Sequence, residues 1–163
     1  MNKKYEVTDI VHPDDPNLCR IRALRDIEQH EVKAGDLGGF VNFDGNLSQE
    51  GNCWVGDDAI IHGNAIVFGD AKVYGTSEVS GDAKVYGEAY VKGSALVCGH
   101  ATITGNATIT GNAWISGNAW VDGHATVYGN ATVSGNTQVT GSAAITGSAQ
   151  VSKGVHVSGT IRT

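Results

Sequence analysis

The sequence predicts an all-β solenoid, a stack of coils made of short strands, on three observations. From residue 51 to 152 the chain repeats every six positions without a slip, from GNCWVG, DDAIIH, GNAIVF and GDAKVY through to GSAAIT and GSAQVS. The fifth position is always Val or Ile and the third is always small, so one side of each hexad is apolar. The first position is Gly in every hexad except the one that starts at Asp57. A period this strict marks units that bury their apolar side only by stacking on their neighbours.

Taken in order, residues 1–38 do not repeat and read as a capping segment. Tyr5 to Ile10 forms a short strand, His12 to Asn17 a turn carrying both prolines, and Leu18 to Ile27 a second strand. The alternation in that second run is imperfect, and a short helix is the other reading. A two-stranded hairpin is too small to stand alone. The open end of a solenoid needs a cover for its core and its unpaired backbone groups.

The solenoid is assigned to residues 39–163. Gly39 and Gly45 lie in phase with Gly51, so irregular coils begin near residue 39, and Gln49 falls where Val belongs in later hexads. That coil is expected to be covered by the cap. Beyond residue 152 the pattern weakens to KGVHVS and GTIRT. Val155 and Val157 stay in phase, so a last strand persists there with no capping element after it.

Within a hexad, alternation sends positions three and five inward and four and six outward. Gly followed by Asn, Asp or Ser supplies the backbone freedom for a corner. Were three hexads to make one coil, residues eighteen apart would stack. One inward column is Val55, Val73, Val91, Ile109, Val127, Ile145; the second runs from Ile61 to Val151 and the third from Val67 to Val157. Six to seven coils at about 4.8 Å each make a prism about 30 Å long.

This pattern resembles the hexapeptide-repeat proteins, the single-stranded left-handed β-helices. The coil of three hexads and the left hand both come from that resemblance, since parallel crossovers in general favour the right hand. The lead-in VKAGDLGGFVNFDGNLSQEGNCWVGDDA is similar to that of a bacterial and prophage subgroup with a GDLGG…LSQEGNCWV motif, whose members are labelled acyltransferases on the fold alone. The resemblance spans essentially the whole chain and implies a fold more than an activity.

Charge and cysteine usage narrow the function classes. The formal net charge is −6, which argues against nucleic acid or an anionic membrane as partner. No apolar run approaches the roughly 20 residues of a membrane span and MNKKYEVTD lacks an apolar leader core, so a cytoplasmic protein is expected. Without a secretion signal, the NAT and NLS triplets carry no glycosylation meaning. Cys19, Cys53 and Cys98 fit no metal spacing. Cys53 faces inward, as a compact apolar group, and Cys98 faces outward. Between Gly93 and Ser152 the one charged residue is Asp122. That neutral half reads either as plain strand-forming Thr and Ser or as a surface that packs against something.

For catalysis, the resemblance implies trimers with sites in the grooves between prisms. A general-base His would sit beside a loop interrupting the repeat, with a coenzyme A or carrier-protein donor. Here no loop interrupts residues 51–152, and flat faces lack an enclosing concavity. His62, His100, His124 and His156 are scattered, with no evident carboxylate to orient any of them as a base, and they make no metal set. His62, beside Asp57 and Asp58, and His124 are the candidates if an acyl-CoA-dependent transferase is read here; otherwise no cofactor is expected.

The outward aromatics point elsewhere. Lys72, Tyr74, Tyr90 and Lys92 form a checkerboard on face one. Face two stacks Leu96 under Trp114 beside Cys98, and face three carries Phe68 and Tyr86 in one column with Trp120 further along. These are either cross-strand ladders or an interface, since Trp and Tyr are enriched there. The Thr pairs of ATITGNATIT fall on different faces and make no regular rank, which excludes ice binding. The leading expectation is a non-catalytic scaffold, phage- or prophage-derived, that self-associates (a trimer favoured) and binds a protein partner through its faces. The alternatives are a trimeric acyltransferase and an acidic DNA mimic resting on residues 44–92, whose carboxylates are diluted by Lys72, Lys84 and Lys92.

Overall fold

A computed structural model describes residues 2–163, all-β apart from two single 3-10 turns at Glu28–His30 and Asp44–Asn46. Three parallel sheets form the sides of a solenoid, and each coil of the repeat contributes one short strand to each sheet. Tyr90 pairs with Thr108, Leu96 with Trp114 and Thr102 with Trp120, so the offset is eighteen residues on all three faces. The backbone follows: Lys92 N donates to Ile109 O at 2.9 Å and Trp114 N to Ala131 O at 2.9 Å.

The three inward columns are as the period predicts. Val97, Ile103, Ile109, Ile115 and Val121 are fully buried, as are the Ala side chains two residues before most of them. Each buried Val or Ile is worth about 1.5–3 kcal/mol, and stacking makes the core continuous. Ser77 and Thr137 replace Ala at inward third positions. Ser77 Oγ donates to Tyr74 O at 2.6 Å, while Thr137 Oγ1 is buried without a partner.

Corners explain the glycines. Gly105 has φ 65°, and a Cβ there would lie 2.7 Å from Gly123 N, so neither the dihedral nor the space accepts a side chain. Asp57 is the exception among first positions, with φ 52°. Its carboxylate accepts the Gly75 N–H of the next coil at 3.0 Å, which ties this corner to the one above it, and Asp tolerates the region better than most residues.

The start of the solenoid departs from the expected phase. Val41 pairs with Ile61 and Leu47 bridges Val67, offsets of twenty residues. Two extra residues therefore lie between Leu47 and Val55, and the phase match of Gly39 and Gly45 with Gly51 is coincidental. Leu47, 1% exposed, takes the inward place. Gln49 stands in the two-residue excess instead. Its Oε1 accepts Lys4 N at 2.9 Å and Tyr5 N at 3.3 Å, and its Nε2 donates to Tyr5 O at 3.1 Å. The side-chain amide thus acts as a strand partner for the first residues of the cap.

The cap is a hairpin of β1 (Tyr5–His12) and β2 (Asp15–Ala23) joined by Pro13 and Asp14. The turn is shorter than expected, because Pro16 lies within β2, near the exposed hairpin tip where a missing N–H is tolerated. Residues 18–23 are strand, and the helical alternative fails. Strand β2 pairs antiparallel with β3 (Leu37–Val41), and β3 runs parallel to Ile60–Ile61, so the hairpin extends one face of the solenoid beyond its end. Arg20 fastens it: its guanidinium donates to Gly38 O at 2.9 Å and Asp57 O at 2.8 Å, pairs with Asp58 at 2.7 Å and lies 4.3 Å above Phe40.

Lys4 closes the open end. It is fully buried, and its Nζ donates to Cys53 O at 2.8 Å, Cys53 Sγ at 3.0 Å and Glu50 O at 3.3 Å. Cys53 is therefore a hydrogen-bonding partner and not simply an apolar filler. Burial lowers the Lys4 pKa and raises that of Cys53. The Tyr5 hydroxyl lies 2.5 Å from Asp44 O and 2.6 Å from Leu47 O, and its single proton serves one of these carbonyls at a time.

At the other end Val157 is buried, but Val155 is 45% exposed although in phase. A further strand, Thr160–Arg162, pairs parallel with Ala144–Thr146 at an offset of sixteen, Ile145 opposite Ile161. The sequence had placed no element there.

Charge in the core is expected to be decisive. Val97→Asp should cost more than about 4 kcal/mol and abolish cooperative unfolding in the adjoining coils, because an unpaired carboxylate would replace an apolar contact. The outward Gln150→Glu should stay within about 0.5 kcal/mol. Denaturant unfolding followed by circular dichroism measures both.

Candidate functional site

Two regions of the surface carry chemistry: the aromatic faces of the prism and the overhang of the cap. On face one, Lys72 Nζ and Lys92 Nζ lie 4.5 and 4.9 Å from the Tyr90 ring centre, and Tyr74 meets Tyr90 edge-on at 6.2 Å. The checkerboard expected from the register is present. On face three Phe68 and Tyr86 stack at 4.6 Å, nearly parallel. These contacts satisfy the aromatics within the chain, and all four rings are only partly exposed.

Trp114 and Trp120 differ, at 49% and 42% exposed. Trp114 lies opposite Leu96 and donates from Nε1 to Cys98 Sγ at 3.3 Å. Around it face two presents Leu96, Ser116, Thr132 and Ser134, none of them charged. Trp120 donates from Nε1 to Asp122 Oδ2 at 2.9 Å, within its own strand turn. The two indoles thus sit on neighbouring faces in different surroundings.

The histidines correct one expectation. His62 Nε2 lies 2.6 Å from Glu78 Oε1, and His100 Nδ1 lies 3.5 Å from Asp82 Oδ2. Both do have carboxylate partners. Glu78 occupies a fourth position in the next coil, sixteen residues on, diagonal to His62 on the same face. The same offset joins Cys98 to Trp114 and Thr140 to His156, whose Nε2 is 2.7 Å from Thr140 Oγ1. Asp57 and Asp58, the sequence neighbours of His62, are engaged with Gly75 and Arg20 instead. His124 is exposed at a corner, in the column of Asn106 and Ser142, with no carboxylate in that column beside it.

The cap supplies the concavity that flat faces lack. Residues 27–37 overhang face one and bury Trp54, an outward residue by phase, to 2% exposure. Two shallow cavities result. One of about 330 Å³ is lined by Glu31, Asp36, Trp54, Asp57 and Tyr74 among others, and one of about 260 Å³ by Asp70, Lys72, Glu88 and Tyr90 among others. Gly56 makes room here, since any Cβ would strike the Tyr74 ring. Burial pushes the Tyr74 hydroxyl up to about 12, helped by Tyr90, Asp57 and Glu31. His30 lines both cavities, and its two ring nitrogens make no well-formed hydrogen bond. Sequence reasoning missed His30 and the overhang because residues 24–36 carry no repeat to place them, and missed the burial of Trp54 because its phase marks it as outward.

Among the described residues, no three His, Cys, Asp or Glu side chains are grouped to hold a metal ion, and the three cysteines are free. No helix of the described residues is long and apolar enough to cross a membrane.

A family model described as the YdcK beta solenoid repeat matches residues 125–141, almost one coil. Together with the stacked parallel strands, it makes the chain a β-solenoid repeat protein in fold. No curated protein matches the chain.

Burial lowers the pKa of His30 from 6.5, and the nearby Lys72 adds to this against a small opposing effect of Asp70. The unfolded chain therefore takes up the proton first, so stability is lost as pH falls from 6.5 toward the folded-state value. Unfolding free energy should decline as the pH falls below 6.5, and His30→Gln should flatten that decline. Equal slopes in the two proteins would remove His30 as its source.

Proposed function

We propose that this protein is a non-catalytic β-solenoid scaffold that self-associates and binds a protein partner through its faces, with the trimer as the favoured assembly. The observation that carries this reading is Trp114, half exposed on a face whose neighbouring coils hold Leu96 and small hydroxyl residues and no charge. A large indole beside an aliphatic side chain on an uncharged stretch of the sheet suits the centre of an interface, where aromatic side chains dominate the binding energy. The satisfied aromatics Tyr74, Tyr90, Phe68 and Tyr86 stiffen the faces around it. A bacterial or prophage origin rests on the GDLGG…LSQEGNCWV lead-in alone.

A second reading, an acyltransferase with an acyl-CoA donor, is favoured by the His62–Glu78 pair. A carboxylate 2.6 Å from the imidazole could hold its tautomer and orientation for general-base work. The pair sits 41% and 42% exposed on a flat face, so this reading requires a second prism to build the groove around it.

Light scattering at micromolar concentration should show an oligomer that Trp114→Ala converts to smaller species. A strictly monomeric wild type, or an unchanged oligomer in the variant, overturns self-association through face two. Calorimetric titration with acetyl-CoA decides the second reading. It should bind with a heat that His62→Gln alters, and silence at about 1 mM ligand dismisses it.

A further inference from the structure

We infer that the Trp120 region is a binding site for a neutral saccharide, distinct from the face around Trp114. Trp120, Asp122, Gln138 and Thr140 line a cavity of about 250 Å³ on face three. The indole is exposed yet held: its Nε1 is committed to Asp122 Oδ2, which fixes the ring on the strand and leaves its carbon surface free. In the next coil Gln138 pairs opposite Trp120 and is exposed. Thr140 Oγ1 is bonded to His156 Nε2 at 2.7 Å, which orients the hydroxyl. On the other side Trp120 faces Thr102.

An apolar plate ringed by amide, carboxylate and hydroxyl groups matches a ligand that is apolar on one face and rich in hydroxyls at its rim. A pyranose has that form: its axial C–H groups lie against the indole while its equatorial hydroxyls meet Gln138 and Asp122. The setting is wrong for a protein hot spot, which wants close-packed apolar neighbours that exclude water. Trp120 has none in its pairing partners Thr102 and Gln138, in contrast to Trp114 over Leu96. Charge sets the ligand class further. From Gly93 to Ser152 there is no Lys or Arg, and the one charge is Asp122 itself. None of the lining side chains is cationic and one is a carboxylate, which disfavours an anionic saccharide, so the ligand is neutral. The open, shallow cavity suits one or two units of a longer chain, with weak affinity per site, since little of the ligand is enclosed.

Calorimetric titration of the full chain with maltohexaose, cellohexaose, chitohexaose and mannohexaose, each to about 10 mM, tests this. Polygalacturonate oligomers serve as the anionic control. At least one neutral probe should bind and shift the Trp120 indole N–H resonance. Trp120→Ala should weaken that binding by about tenfold or more, while Gln150→Glu, on another face, leaves it unchanged. Silence from all four neutral probes overturns the inference, as does binding that survives Trp120→Ala or is confined to polygalacturonate. Oligomeric state is read separately by light scattering, so failure of self-association through Trp114 and failure of saccharide binding at Trp120 are distinguishable.

Discussion

The structure depends on close backbone approach at the corners. Successive coils can lie at strand spacing only if the corner residue of one coil admits the backbone of the next, and a Cβ at Gly105 or Gly123 would fall within 3 Å of the backbone eighteen residues on. Once that approach is possible, each outward-facing strand residue donates across to the next coil and each Val or Ile drops into line above the last. The hydrogen bonds and the apolar columns are consequences of one register. This is why the core can be narrow, filled by Ala and Val, and still continuous over the length of the prism.

A stack of this kind must be closed at its ends, and the chain spends its first forty residues on that. The closing groups are polar. Lys4, Tyr5 and Gln49 reach backbone groups that have no coil beneath them, and each bond spares an otherwise unsatisfied buried donor or acceptor. A lysine so enclosed is unusual; its amine is held by two carbonyls and a thiol. Arg20 then ties the hairpin to the first corner, and the segment beyond it folds over face one. The two cavities near that end follow from this overhang.

The outside of the prism obeys the same register, in two forms. Pairs eighteen apart sit side by side, as Phe68 with Tyr86 or Asp82 with His100. Pairs sixteen apart meet on the diagonal, as His62 with Glu78, Cys98 with Trp114 and Thr140 with His156. A face is thus a lattice on which any two chosen side chains can be set against each other by their sequence separation. Most aromatics use it to satisfy one another. Trp114 and Trp120 keep their indoles open, and the functional readings rest on that difference.

The repeat, once three hexads are taken per coil as the family resemblance implies, determined the parallel strands, the three faces, the inward columns and the neighbours of every outward residue from 54 to 151, because a uniform period then leaves one consistent stacking. It also contained the His62–Glu78 pair, whose members stand sixteen positions apart, on the diagonal between adjacent coils and not in one column. Tertiary structure alone decided the rest. The two-residue excess after Leu47 looks in phase as a string, since Gly39 and Gly45 mimic the period, and only the pairing of Val41 with Ile61 exposes it. The burial of Lys4 and Trp54, the concavities under residues 27–37 and the final strand Thr160–Arg162 depend on how non-repeating segments dock. Docking is set by long-range contacts between particular side chains and carbonyls, and no local period encodes those.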